Sequence, residues 1–143
     1  MALDLLLSRD ANVAAASTVY PTGPLNYQDP VGSYVTYIDI HGRIGIDETY
    51  AAVCTVAGPV VGTCQVILQS DDNTGFASPT DQYTWATAIT TTNGRNANGT
   101  GPHLLGYVTG PMERYLRFKL IAAAAIGNIT CALTRDWPSY DRR

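Results

Sequence analysis

The sequence has 143 residues, 45% of them hydrophobic and only 15% charged, and its formal net charge is −3. This length fits one domain of about 100–150 residues with its own core. The hydrophobic content excludes intrinsic disorder, the acidic balance argues against a nucleic-acid partner, and no apolar run approaches the roughly 18 residues of a membrane span.

Residues 8–32 are rich in Ala, Pro, Gly and Asn, and residues 1–32 are predicted to form an extended N-terminal arm or long loop. Leu5, Leu6 and Leu7 lie in this arm, outside any predicted core strand, and a row of exposed leucines calls for a covering surface. The apolar stretch is too short for a secretory signal peptide. The sequence therefore predicts a protein made in the cytoplasm.

Residues 33–135 are dominated by Thr, Val, Ile and Tyr, with Gly and Pro between the runs, which is typical of short strands and turns. No amphipathic helix separates the runs, so we expect an all-β antiparallel sandwich or barrel within a single domain. Residues 136–143 are predicted to form a short tail. The predicted strands are 34–40, 48–57, 63–69, 83–90, 103–108, 114–121 and 128–135.

Three of these strands alternate clearly between apolar and other residues, which predicts the side chains that face the core. The residues between them are predicted to face solvent, as in an antiparallel sheet with one solvated face. The predicted inward sets are Cys64, Val66 and Leu68; Leu116, Phe118 and Leu120; and Ile129, Cys131 and Leu133.

The segment Ala57-Gly58-Pro59-Val60 predicts a tight hairpin between two of the strands. Cys54 and Cys64 lie symmetrically about this turn, so they would be cross-strand neighbours on the inward face. A disulfide between them is geometrically possible, but a reducing cytoplasm favours two buried thiols. The third cysteine, Cys131, is expected to be a small core residue.

One turn has the spacing of a metal loop. Asp71, Asn73 and Gly75 resemble the start of a calcium-binding EF-hand, but the positions where that loop needs Gly and Glu hold Phe76 and Gln82. A polar turn, in which side chains cap backbone N–H groups, is therefore the prediction, with no metal.

No catalytic set is apparent in the sequence. His41 and His103 are the only histidines, and no G-x-S-x-G nucleophile motif accompanies them. The only lysine, Lys119, lies outside any phosphate-binding loop pattern. We therefore expect that the protein is not an enzyme and uses no cofactor.

Two surface features suggest an interface instead. Tyr115, Arg117 and Lys119 point outward along one strand, and Tyr and Arg are enriched at binding hot spots, although a solvated strand face has the same pattern. The following turn, 122–126, is apolar, which indicates a covered surface or a helical turn packed on the barrel. The candidate interface residues are Leu5, Leu6, Leu7, Tyr115, Arg117, Lys119, Ala123, Ala124 and Ile126.

An ordered set of segments resembles the capsid cement (decoration) proteins of a Bordetella phage and related tailed phages. The likeness covers most of residues 3–16 and 36–135, whereas residues 19–35 look like an insertion and residues 137–143 extend past the family's end. The segments are Leu68-Gln69-Ser70-Asp71-Asp72, Phe76-Ala77-Ser78-Pro79 and Glu113-Arg114-Tyr115-Leu116-Arg117-Phe118, with Asp4-Leu5-Leu6-Leu7-Ser8, Ala14-Ala15-Ala16-Ser17, Tyr37-Ile38-Asp39-Ile40 and the region 122–133.

This resemblance implies a jelly-roll-like β-sandwich on the outer surface of a phage head. The expected partners are the major capsid protein and other copies of the chain, as a dimer or trimer, and the expected location is the virion. The family offers no catalytic residues to transfer to this sequence. Nucleic acid and membrane are not expected partners.

The alternative function is a carbohydrate-binding jelly-roll module of a phage particle. Tyr83, Trp85, Tyr107 and Trp137 would form an aromatic platform for a sugar, and the turn 71–73 would supply polar groups beside it.

Overall fold

The structure, a computed structural model, describes residues 8–22, 35–40, 49–56, 64–89, 101–110 and 112–134. These residues contain no helix, and hence none that could cross a membrane. They form nine strands: β1 Ser8–Val13, β2 Ser17–Val19, β3 Ile38–Asp39, β4 Thr49–Val56, β5 Cys64–Asp71, β6 Thr80–Ile89, β7 Gly101–Thr109, β8 Tyr115–Ala122 and β9 Gly127–Thr134.

The strands form two antiparallel sheets whose inner faces share one core. One sheet has four strands in the order β1-β9-β4-β7, and the other has the order β2-β8-β5-β6, with β3 also paired to β8. Of the described strands, only β5 and β6 are both consecutive and side by side. β2 and β3 also lie in one sheet without pairing with each other, and every other pair of consecutive strands is divided between the two sheets. This is a jelly-roll-like antiparallel β-sandwich, so the predicted fold class is confirmed.

Two short strands share one position at the edge of the five-stranded sheet. β2 lies opposite Leu120–Ala122 of β8, and β3 lies opposite Tyr115 and Leu116 of the same strand. Residues 20–37 fall between these two pieces in the sequence, and this span contains most of the segment 19–35 that looks like an insertion. At its start, the chain pairs with β1 through two backbone hydrogen bonds between Thr22 and Asp10.

The core lies between the two sheets and contains all three predicted inward sets. Each of those nine side chains is at most 1% exposed, which confirms the alternation. The packing density of such an interior makes every one of them sensitive to truncation. The other buried members of the cluster are Val13, Ile38, Ile40, Tyr50, Ala52, Cys54, Val108, Ala122 and Ile126.

The outer faces are less solvated than predicted. Ile67 and Gln69 on the outer face of β5 are buried, because Lys119 and Arg117 of β8 lie directly beside them. Ala132 on the outer face of β9 is also buried, in a small cluster with Ala51 and Val53. Alternation predicted the orientation of these side chains correctly, but it cannot predict that side chains of the adjacent strands cover them.

The N-terminal prediction is wrong in one respect. Residues 8–13 and 17–19 were expected in an arm or loop, yet they are β1 and β2, paired with β9 and β8. The sequence of β1, SRDANV, is too polar to indicate a strand from propensity alone. Its register, with Arg9 opposite Cys131 and Ala11 opposite Ile129, comes from pairing with an apolar strand. The predicted strand 34–40 shrinks to β3, and the other six predicted strands are present.

Arg9 is the largest buried side chain of β1, with 1% exposure. It faces inward beside Cys131. Its guanidinium donates hydrogen bonds to the backbone carbonyls of Ser8, at 2.6 Å, and of Tyr37. A buried cation is tolerated only when such acceptors replace the lost water. Arg9 therefore ties β1 to the chain just before β3.

The predicted hairpin at residues 57–60 is also wrong. These residues lie outside the described ranges, but the strands on either side belong to different sheets: β4 pairs with β7 and β9, and β5 pairs with β6 and β8. A Gly-Pro turn signal shows where a strand ends and does not specify which strand pairs with which.

The three cysteines are free and buried, as predicted, but their neighbours differ from the prediction. Cys54 lies opposite Cys131 on the adjacent strand of the four-stranded sheet, whereas Cys64 faces the same core from the other sheet. Burial raises the pKa of all three thiols, that of Cys64 to about 11. Thiols in such surroundings are chemically inert, because the thiolate is the nucleophile.

We therefore expect the native protein to resist alkylation. At pH 8, a thiol with a pKa of about 11 is ionised in roughly one molecule in a thousand, and burial also blocks the reagent. Mass spectrometry should find no adduct after brief treatment of the native protein with N-ethylmaleimide, and three adducts after treatment in denaturant. A fast native adduct, or fewer than three in denatured, anaerobically purified protein, would contradict this account.

Candidate functional site

The outer face of the five-stranded sheet carries the predicted interface residues of β8, and the register arranges them in rows. Tyr115 lies beside Asp39 and Asp71, and Arg117 lies beside Gln69. Of the two remaining rows, one holds Lys119, Ile67 and Thr84 on successive strands, and the other holds Ile121 between Thr18 and Gln65. The structure thus places Tyr115, Arg117 and Lys119 on one face, as predicted.

Arg117 is half-buried, and its guanidinium is held by contacts within the protein. Its guanidinium carbon lies 4.1 Å from the ring centre of Tyr20 and 4.3 Å from that of Phe76. Its Nε donates to Gln69 Oε1 at 2.8 Å, and Gln69 Nε2 donates to Asp81 at 2.7 Å. Cation–π contacts on both faces and a buried amide partner make Arg117 a structural residue. Its role as an interface cation stays a prediction.

Tyr115 belongs to a second set of contacts at the same end of the sheet. Its ring meets Tyr37 edge to face, with the centroids 5.5 Å apart, and Arg114 lies over it at 5.0 Å. Arg114 also forms a bidentate ion pair with Asp39, with both N–O distances 2.9 Å. Tyr115 is half-buried by these neighbours, so it offers a partner little free surface.

The other end of the face is open. Ile121 is 40% exposed and lies between Thr18 and Gln65, with Lys119 two residues before it on the same face. Ala123, just beyond the strand, is exposed as well. We call Lys119, Ile121 and Ala123 the β8 patch. It combines apolar side chains, which suit the centre of a protein interface, with one lysine, which suits the polar rim.

The apolar turn after β8 is only partly available. Ala123 is exposed and Ala124 is half-buried, but Ile126 is 5% exposed and belongs to the core cluster. The backbone N–H of Ile126 donates to the carbonyl of Val13 at 2.9 Å, which fixes the turn against β1. Ile126 is therefore a core residue and not an interface residue. Leu5, Leu6 and Leu7 lie outside the described residues, and their role stays a prediction.

The polar turn after β5 caps itself, as predicted. Asp71 accepts hydrogen bonds from the N–H groups of Asn73, at 3.1 Å, and Ser78, at 3.0 Å. Asn73 Oδ1 accepts from the N–H of Gly75 at 2.6 Å. Burial raises the pKa of Asp71, but these hydrogen bonds outweigh it, so the net pKa is lowered.

Three carboxylates converge beside this turn. Oxygen atoms of Asp71, Asp72 and Glu113 lie within 4.8 Å of one another. The pKa of Asp72 is raised by its hydrogen bond with Asp71 and by the charges of Asp71 and Glu113. Glu113 accepts a hydrogen bond from Ser70 Oγ at 3.1 Å. Asp71 thus accepts hydrogen bonds from the turn itself, and Glu113 accepts one from a residue of β5.

Among the described residues, the aromatic side chains predicted as a sugar platform do not lie on one face. Tyr83 and Trp85 stack at 5.9 Å and pack against the core, where the Tyr83 hydroxyl bonds the backbone of Thr109. Gly106 makes room for the indole: a Cβ there would lie 2.3 Å from Trp85 Nε1. Tyr107 is exposed on the outer face of the other sheet, beside Ala51. Trp137 lies outside the described residues.

Sequence reasoning missed Ile121, although a signal for it exists. Alternation places residue 121 on the same face as Arg117 and Lys119, so an isoleucine there is an apolar residue at an outward position. The cover over Arg117 has no such signal, because Tyr20 and Phe76 are 97 and 41 residues away from it along the chain. Comparisons with protein-family models, with curated proteins and with solved structures find no match.

Proposed function

We propose that this chain is a capsid decoration protein. It binds the outer surface of a tailed-phage head across neighbouring major capsid protein subunits and stabilises the assembled shell. It is made in the host cytoplasm and resides in the virion. No catalytic step and no cofactor form part of the proposal.

The observation that carries the proposal is the fold. The segments that resemble capsid cement proteins imply a jelly-roll-like sandwich, and the chain has that topology. A fold of this kind hosts many functions, so it supports the proposal without specifying it. The second support is the β8 patch, because it is an exposed, partly apolar surface on a strand held on both sides, and such a surface can bind another protein.

The β8 patch is the surface that we assign to the major capsid protein. Within the described residues, Ile121 and Tyr107 are exposed large hydrophobic side chains, and Tyr107 lies on the opposite outer face. Apolar side chains in the centre of an interface and a cation near it are a common arrangement. A strand that is hydrogen-bonded on both sides holds Ile121 in place before binding, which limits the entropy lost on association.

Stabilisation follows from linkage. A protein that binds only the assembled shell lowers the free energy of the shell relative to the separated subunits. The effect grows with the ratio of the protein's concentration to its dissociation constant. Many copies on one head add their effects. Association of the copies with one another, which we also propose, would raise the effective concentration of each binding surface.

The test is binding to capsids that lack the protein. Co-sedimentation should show saturable binding of the wild-type chain, and Ile121→Asp should weaken it about tenfold or more, since a carboxylate would be buried in an apolar contact. Lys119→Glu should also weaken binding, and more strongly at low salt than at high salt, because it would place like charges opposite each other in the interface. Circular dichroism of each variant checks the fold.

The matched control is Tyr107→Asp, because Tyr107 is 54% exposed on the other outer face. It should bind capsids like the wild-type protein. If the wild-type chain fails to sediment with capsids, the proposed function is wrong. If Tyr107→Asp loses binding and Ile121→Asp retains it, the capsid-binding face is the four-stranded sheet.

A further inference from the structure

An open cavity with both polar and apolar lining lies on the outer face of β1 and β9, on the opposite sheet from the β8 patch. Its volume is about 420 Å³, which is within the range of ligand pockets. Side chains of Asp10, Asn12, Asn128 and Thr130 line it, with Thr22 at the free edge of β1. Ala11 and Ile129, which lie between these residues on β1 and β9, also contribute to the lining.

The register sets the geometry of this cavity. Asp10 lies opposite Thr130, and Asn12 lies opposite Asn128, two residues along on the same face. Positions i and i+2 on a strand are about 7 Å apart, and opposite residues have Cβ atoms about 5 Å apart. Four polar side chains therefore stand at the corners of a rectangle with the dimensions of a six-membered sugar ring and its hydroxyls.

The side chains bond in pairs and keep bonding capacity for a ligand. Thr130 Oγ1 donates to Asp10 Oδ1, and Asn12 Nδ2 donates to Asn128 Oδ1 at 2.7 Å. A carboxylate accepts several hydrogen bonds, and each amide has two donor hydrogens and one acceptor oxygen. Oδ2 of Asp10, Oδ1 of Asn12 and Nδ2 of Asn128 therefore remain as acceptors and a donor.

This inventory selects the ligand class. Among the described residues that line the cavity, there is one carboxylate and no cationic side chain, which disfavours anions. A hard cation such as Ca²⁺ takes six to eight oxygen ligands and commonly several carboxylates. Neutral hydroxyls can both donate and accept, which matches amides, hydroxyls and one carboxylate. We infer that this cavity binds a neutral pyranose, either a free sugar or a unit of a bacterial surface polysaccharide.

The inference is independent of the proposed capsid role. The test titrates ¹⁵N-labelled full-length protein with glucose, galactose, mannose, N-acetylglucosamine and an isolated bacterial surface polysaccharide. At least one should shift the amide signals of residues 10–12, 22 and 128–130, with a dissociation constant of roughly millimolar order, as expected for so small a ligand. A shift with the polysaccharide alone identifies the polymer as the source of the ring.

The double variant Asn12→Ala/Asn128→Ala removes the amide pair from an exposed surface and should weaken binding about tenfold or more. Thr84→Ala, an exposed polar truncation on the other sheet, is the control and should bind sugar unchanged. The inference is overturned if none of the probes shifts these signals up to about 100 mM. It is equally overturned if the double variant binds unchanged, or if CaCl₂ alone reproduces the shifts.

Discussion

Arg9→Ala should lower the free energy of unfolding by about 3–5 kcal/mol, because it opens a cavity in the interior and leaves two buried carbonyls without their donor. The guanidinium is 1% exposed and bonds the carbonyls of Ser8 and Tyr37. Without it, those carbonyls lose a donor in the interior and a cavity opens beside Cys131. Urea unfolding followed by tryptophan fluorescence measures the change.

Two variants separate the causes. Arg9→Met keeps most of the side-chain volume and removes the donors, so it should cost less than Arg9→Ala. Arg114→Ala removes an exposed arginine that forms a bidentate pair with Asp39, and it should cost about 1 kcal/mol or less. If Arg9→Ala is no more destabilising than Arg114→Ala, then Arg9 is not the tie between β1 and the chain before β3.

Arg117→Ala should lower the free energy of unfolding by about 2–3 kcal/mol. The substitution removes the stack between Tyr20 and Phe76 and leaves the buried Gln69 without its Nε–H donor. The turn that carries Phe76 and the chain after β2 would both lose their contact with β8. Thermal unfolding measures the stability, and hydrogen exchange in residues 72–79 measures the loosening.

Lys119→Ala is the matched control, since it lies two residues along the same strand on the same face and should change stability by about 0.5 kcal/mol or less. Arg117→Lys retains the charge without the planar guanidinium and should lose most of the stability that Arg117→Ala loses. Equal, small effects of Arg117→Ala and Lys119→Ala would show that the stack contributes nothing.

The fold class and much of the core were accessible from the sequence because alternation is a direct consequence of the pleat. Leu116, Phe118 and Leu120 could be assigned to the core without any knowledge of their partners. The pairing of strands could not be assigned. Gly58-Pro59 indicates a turn in either topology, and only the two-sheet arrangement separates β4 from β5.

β1 shows the opposite limit. A strand that contains Arg9, Asp10 and Asn12 has no sequence signal, because its conformation comes from pairing with β9 and from an acceptor, the Tyr37 carbonyl, that lies 28 residues along the chain from Arg9. The candidate site was likewise predictable only in part. Alternation placed Lys119 on the outer face, but the rings that enclose Arg117 and the burial of Ile126 depend on tertiary contacts.

The most direct measurement of the central claim is the temperature at which capsids release DNA. Three samples are compared: complete particles, particles that lack this protein, and the latter after addition of the purified chain. We expect release at a lower temperature without the protein and recovery on addition of the wild-type chain, but not of Ile121→Asp at the same concentration. Identical release temperatures in all three samples would contradict a stabilising role on the phage head.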